Sequence, residues 1–206
     1  MERPSEFSSE ELEVPQRDFA PEDLRGLSVA QLEDLFLWMQ TGQNLEWQRA
    51  RTDELTGVGN SLALREDLQN HIRQPEVERR QESRASRPAF CFIDLDKFKR
   101  VNDGIGHVVG DVVLRETAQL IKSCLRETDK LYRVGGDEFL VLFGVGIETD
   151  SQLQSVIDRI RGAVLDYIEV RLELKKLGLG VSLGAGFTIG EADQAMYRNK
   201  KQNQQQ

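Results

Sequence analysis

Leu131-Tyr132-Arg133-Val134-Gly135-Gly136-Asp137-Glu138-Phe139-Leu140-Val141-Leu142-Phe143 sets two β-like apolar runs on either side of a Gly-Gly-Asp-Glu turn. That is the pattern of a β-hairpin. Gly135 and Gly136 lack Cβ atoms, so they can take positive φ and let a bulky phosphate ligand approach the backbone; a Gly-Gly pair is equally a common hairpin turn. Upstream, Ala89-Phe90-Cys91-Phe92-Ile93 is a short, fully apolar run that ends in Asp94-Leu95-Asp96. Such a run reads as a central strand buried on both faces. If the hairpin pairs beside that strand, Asp94 and the Asp137-Glu138 pair converge. Like charges that close do not all stay ionised without a cation. A hard divalent ion, Mg²⁺ first and Mn²⁺ as the alternative, satisfies carboxylates together with substrate phosphates. Two ions held this way stabilise the attacking and leaving oxygens of a displacement at phosphorus.

Outward from this centre the apolar spacing is helical. Leu62, Leu64, Leu68 and Ile72 follow a turn-rich stretch, Asp53 to Asn60. Val113, Thr117, Leu120, Ile121, Cys124 and Leu125 place an amphipathic helix over residues 110–127, and Leu153 to Ile168 carry another. Val170 to Leu174 alternates strictly and predicts a half-exposed strand. Val181 to Thr188 predicts its Gly-rich partner, and Ala192 to Lys201 a last short helix. The order predicts an α+β fold: a central, mainly antiparallel sheet flanked by helices, with the hairpin at its centre. Residues 1–20 read as a flexible lead-in. Residues 21–52 read as a helical extension whose apolar spacing starts at Leu24, either packed on its own domain or serving as a dimerising or signalling helix that a regulatory protein could engage. Residues 75–88 predict a mobile loop, and 202–206 a frayed tail.

The 206 residues carry a formal charge of -8. No large cationic field is available for nucleic acid or an anionic membrane, so neither is an expected partner. The Ser-rich acidic N-terminus lacks the apolar core of a signal peptide, and the longest apolar stretch is far short of the roughly 20 residues that cross a bilayer. The expected location is the cytoplasm, with Cys91 and Cys124 as reduced core residues.

Four blocks in order resemble the GGDEF family, the diguanylate cyclases: Asp53 to Asn60, Phe92 to Asp111, Arg133 to Phe139, and Ala192 to Tyr197. The resemblance implies a nucleotide-cyclase or palm-like fold with a ferredoxin-like core, the catalytic domain covering 53–201. It implies condensation of two GTP into cyclic di-GMP by a homodimer, with release of two pyrophosphates. Asp94, the Leu95 carbonyl, Asp137 and Glu138 are the implied metal ligands, and one acid of the Asp137-Glu138 pair also assists deprotonation of the attacking 3′-hydroxyl. Lys99 would neutralise phosphate charge in the transition state. Asn102 and Asp111 would read guanine, a carboxylate accepting from its ring N–H and amine. His107 would touch the nucleotide or act as a cap or packing group; Phe98 would line the base or serve the core. Arg126 and Asp129 match the RxxD product-inhibition site, where the guanidinium would bind cyclic di-GMP; locally they also read as residues closing a helix.

Two blocks depart from the family. Ser61 follows Asn60 where an arginine is usual, and the closing Ala-Lys-x-x-Gly-Arg-Asn is here Asn199-Lys200-Lys201-Gln202-Asn203-Gln204-Gln205. Lys200 remains as a phosphate ligand, but neutral Gln204 stands where a second cation is expected, for which Lys201 or Arg198 could substitute. A catalytically weak domain that binds GTP or cyclic di-GMP and regulates a partner is therefore the alternative to an active enzyme.

Overall fold

A computed structural model describes residues 44–72 and 88–205. The lead-in, residues 21–43 of the helical extension and residues 75–87 of the predicted loop lie outside the described residues. The chain divides into Met1–Arg49 and Ala50–Gln206; of the first unit, residues 44–49 are described and are helical.

The second unit runs α1 (Ser61–Ile72), β1 (Ala89–Asp96), α2 (Phe98–Ile105), α3 (His107–Ser123), β2 (Lys130–Arg133), β3 (Glu138–Phe143), α4 (Asp150–Glu169), α5 (Leu172–Leu177), β4 (Gly180–Gly186) and α6 (Ile189–Gln204). The four strands form one sheet in the order β2-β3-β1-β4, with every adjacent pair antiparallel. The α+β expectation is met. The strand period of two sorts β1 between two layers. Ala89, Cys91, Ile93 and Leu95 enter the main core with Val113, Leu114, Ala118 and Ile121 of α3 and Ile157, Ile160 and Val164 of α4. Phe90 joins a smaller cluster on the opposite face with Ala63 of α1 and Ala192 of α6. Asp94 and Asp96 continue that second face at the strand's end. Cys91 and Cys124 are free and buried, as expected, and burial pushes the Cys91 thiol up to about 12.

Four expectations change. Val170 to Leu174 form a helix junction in place of the expected strand, Val170 capping the end of α4, Arg171 the start of α5 and Leu172 to Leu174 its first turn, and β4 pairs with β1. Leu174 is its buried residue, Lys175 and Lys176 occupy its last turn, and Gly178 closes it in the left-handed region at φ 72. Those are helix-stop signals that outweigh a short alternation. The hairpin is not at the centre: β3 and β1 share that place, and four-residue β2 lies towards the edge with Lys130 exposed, as suits an edge strand. The helix placed over 110–127 is preceded by the separate helix α2, broken from it at Gly106. Finally, α6 continues to Gln204, so Gln202 to Gln204 are helical rather than frayed. It lies directly on β4: a Cβ on Gly184 would meet the Met196 nitrogen at 1.7 Å.

Candidate functional site

At the end of β1, Asp94 is the backbone partner of Glu138 in β3 and of Ser182 in β4. This buries it to 3% exposure. Its Oδ2 accepts from Lys200 Nζ at 2.7 Å, while Oδ1 is buried with no hydrogen-bond partner. Burial and the neighbouring Asp94 charge raise the pKa of Asp137. Burial alone would lower Lys200, but its bond to Asp94 and the charges of Asp137 and Asp96 carry it upward. Asp94, Asp137 and Lys200 therefore form one electrostatic unit drawn from β1, the turn and α6.

The expected three-acid convergence is only partly formed. Glu138 is exposed, and its Oε2 lies 2.7 Å from where a Gly135 Cβ would sit, so this carboxyl folds over the turn. Among the described residues, no group of three or more His, Cys, Asp or Glu side chains is gathered tightly enough to hold an ion. Asp96 takes no part: both its oxygens accept from Ser182 Oγ at 2.8 Å, and Oδ2 also accepts from Asn203 Nδ2 at 2.9 Å. The donor chemistry nevertheless fits a hard cation. A buried carboxylate oxygen without a donor is costly unless a positive charge meets it, and oxygen ligands are what Mg²⁺ takes.

The turn is tied at both ends. Val134 N–H donates to the Glu138 carbonyl at 3.0 Å, and Leu95 N–H to that of Asp137 at 3.3 Å. Arg133 holds it from outside, giving Nη2 and Nε to the Gly136 carbonyl at 2.6 and 3.1 Å. Its Nη1 reaches both carboxylate oxygens of Asp53, at 3.2 and 3.3 Å. Asp53 is itself fixed by the Thr56 amide and hydroxyl. This clamp was not read from the sequence, because its partners stand 80 positions apart.

The other expected residues separate by role. Lys99 is exposed and makes no ion pair among the described residues. Asn102 packs against Gly110, where a Cβ would come within 1.9 Å of its Oδ1; Asp111 follows on the same turn of α3, half-buried. Phe98 belongs to the main core and also abuts Gly110, so both readings of it are compatible with its place. His107 is the exposed first residue of α3, and Gly106 holds the cap position, so His107 is neither cap nor packing group. Asp129 fixes a turn, accepting from the backbone N–H of Arg126 at 2.9 Å and of Gly144 at 3.0 Å. The Arg126 side chain is exposed beside it.

In the closing helix, Lys201 stacks on the Tyr197 ring at 4.4 Å. Asn199 Oδ1 accepts from Leu183 N–H at 2.9 Å and from Arg161 Nη1 at 3.0 Å. Asn203 donates to the Val181 carbonyl as well as to Asp96. These amides were also missed; nothing but their spacing of four on one helix hinted at a shared face. No helix among the described residues is long and apolar enough to cross a membrane.

Comparison with known proteins gives a consistent result. The sequence pattern described as "Diguanylate cyclase, GGDEF domain" matches residues 50–206. The diguanylate cyclase DgcP of Pseudomonas aeruginosa is 36% identical over 166 residues, which are 75% of this chain and 23% of that protein. The structure of diguanylate cyclase SiaD in complex with its activator SiaC, also from Pseudomonas aeruginosa, is 32% identical with a TM-score of 0.60 and covers 84% of this chain and 67% of that one. The coiled coil and GGDEF domain of DgcB from Caulobacter crescentus, in complex with c-di-GMP, is 25% identical with a TM-score of 0.64, covering 84% of this chain and 94% of that one. The chain spans 14% to 42% of the length of the first four curated relatives it matches.

Proposed function

Because the chain belongs to the GGDEF family of diguanylate cyclase domains, we propose that it condenses two GTP into cyclic di-GMP as a homodimer. In each of two symmetric steps a 3′-hydroxyl oxygen bonds to the partner GTP's α-phosphorus. The bond from that phosphorus to the bridging oxygen breaks, pyrophosphate leaves with the electron pair, and the hydroxyl proton passes to a carboxylate of the Asp137-Glu138 pair. One subunit holds half of the reaction, so the rate depends on dimerisation.

The observation that carries this reading is the unit of Asp94, Asp137 and Lys200, with one buried Asp94 oxygen lacking a donor. Asp94, the Leu95 carbonyl, Asp137 and Glu138 would hold Mg²⁺ or Mn²⁺, which would supply positive charge against the phosphates. Lys99 and Lys200 complement that charge from the protein. Asn102, packed against Gly110, and Asp111 would orient guanine, with Phe98 and His107 beside the nucleotide and Gly135 and Gly136 giving the phosphates backbone access. Arg126 and Asp129 would bind the product, the aspartate fixing the turn and the free guanidinium making the contact.

Incubation of the protein with GTP and Mg²⁺, followed by nucleotide separation, tests this directly. Cyclic di-GMP is expected from the native chain and not from Glu138→Gln; equal product from both overturns the proposal. The neutral Gln204 favours the second reading, a GTP- or cyclic di-GMP-binding regulatory module. That reading is the outcome if either nucleotide binds and no product forms.

A further inference from the structure

The nucleotide's phosphate end needs cations, and Lys200 alone is a single charge from α6. Beside it lies a cavity of about 290 Å³ lined by Asp96, Lys97, Arg161, Lys200, Asn203 and Gln204, among others. That is the small end of the range for ligand pockets, room for phosphate groups and their water rather than a whole nucleotide. Its charge is lopsided. Three cations face it, from the β1–α2 junction (Lys97), α4 (Arg161) and α6 (Lys200). Its one acid, Asp96, is buried with its oxygens already taken by Ser182 and Asn203.

Neither Lys97 nor Arg161 has a carboxylate partner among the described residues. Arg161 is half-buried, and one hydrogen bond, to Asn199 Oδ1, aims it along the edge of β4. A guanidinium in that position retains donors for an anion, in the fork geometry that suits phosphate. Lys97 adopts the left-handed conformation at φ 61, and its Nζ lies 3.5 Å from where a Gly178 Cβ would sit. That glycine leaves room for the lysine stem against the cavity wall. Of the candidates offered by the sequence, neither lines this cavity: Lys201 stacks on Tyr197, and Arg198 lines a neighbouring groove with Asp150 and Glu191, which Arg161 also borders.

We propose that Lys97 and Arg161, acting with Lys200, hold the pyrophosphate end of the substrate and the departing pyrophosphate, replacing a cation that α6 does not provide at Gln204. The inference rests on the reading of the site as a GTP-consuming one. It adds two residues, Lys97 from within the second matching block and Arg161 from outside all four, to the groups that touch the substrate.

The test is titration of the full chain with pyrophosphate and Mg²⁺ in a calorimeter, alongside steady-state cyclase kinetics. Lys97→Asn removes the charge with a side chain that tolerates the left-handed conformation; Arg161→Gln removes the other. Each is expected to weaken pyrophosphate binding roughly tenfold and to raise KM for GTP more than it lowers kcat. Arg161→Lys recovers part of the affinity, and Gln204→Arg in the Arg161→Gln background recovers it by the alternative route. Because Arg161 also bonds Asn199, thermal melting is recorded for each variant, and a melting change without a change in pyrophosphate affinity overturns the proposal. Unchanged affinity in both variants while cyclic di-GMP is still made overturns it and leaves the cyclase reading intact. Charge-dependent pyrophosphate binding with no cyclic di-GMP from the native chain upholds the phosphate site and overturns the cyclase reading.

Discussion

Replacing Arg133 by alanine tests whether the acidic turn is held from outside, by the segment that enters the domain. The native guanidinium is 15% exposed and its partner Asp53 23%, between the exposed pairs that contribute under about 1 kcal/mol and the buried pairs whose breakage costs about 3–5 kcal/mol. A loss of about 2 kcal/mol follows. For a unit of this size that lowers Tm by roughly 4–8 °C. Activity should fall further, because the Gly136 carbonyl loses both donors and a displacement of about 1 Å at a reacting group costs on the order of 100-fold. The same variant has a signature in pH. Burial would raise the pKa of Asp53, but hydrogen bonds from Thr56 and Arg133 and the Arg133 charge bring it below its ordinary 3.8. A depressed folded-state pKa contributes stability that is present above the unfolded value and lost as pH falls through the folded one. The native chain should therefore lose melting temperature in acid below about pH 4, and Arg133→Ala should lose less of it there. Melting followed by circular dichroism across the acid range, with cyclase assays at neutral pH, measures both. A variant that melts and turns over like the native chain, with an unchanged acid limb, refutes the clamp.

Lys200→Ala leaves Asp94 buried without its cation, at a cost of about 2 kcal/mol once the exposure of Lys200 is allowed for. Mg²⁺ should recover more melting temperature in the variant than in the native chain, and equal recovery contradicts the assignment of Asp94 as a ligand. Gly110→Ala pushes its Cβ onto Asn102, 1.9 Å away, so KM for GTP should rise several-fold; unchanged KM removes Asn102 from the guanine site. Asp129→Ala should cost about 1–2 kcal/mol through the two backbone N–H groups it strands. Arg126→Ala should leave melting nearly unchanged while weakening inhibition by cyclic di-GMP, and equal melting losses would place Arg126 in the turn's scaffold instead.

Legibility followed the strength of the local period. Ala89 to Ile93 and Phe139 to Phe143 are dense apolar runs with buried partners, and both are strands where expected. Asp94 and Asp137 were brought together because their strands end in register, which the pairing alone dictates. Val170 to Leu174 failed because five alternating residues fit a strand template while Lys175, Lys176 and Gly178 just beyond carry the helix-stop signal. Phe98 to Ile105 was missed although Phe98 and Val101 stand at helical spacing and are buried, because eight residues that include Gly104 are short for a helix and run into a second glycine at Gly106. Long-range polar contacts left no local trace: Arg133 with Asp53, Arg161 with Asn199, Asn203 with Asp96.

The closing helix shows what the departures from the family pattern do. Asn199 and Asn203 stand where Ala and Gly are usual, and both face the outer edge of β4. Asn199 caps the Leu183 N–H, and Asn203 donates to the Val181 carbonyl, Asp96 and Ser182. An unpaired strand edge exposes just such backbone groups, and two amides one helical turn apart cover them. The changes therefore add attachments between α6 and the sheet, and they steady the helix that presents Lys200 to Asp94. The double variant Asn199→Ala, Asn203→Gly comes closer to the family pattern and should nevertheless be less stable, by about 1 kcal/mol for each side-chain amide that no longer bonds the strand and up to about 1 kcal/mol more for glycine near a helix end. Melting and hydrogen exchange at Leu183 measure this. A variant as stable as the native chain, with Leu183 still protected, would show that α6 is held by its apolar packing and by the glycines of β4 alone.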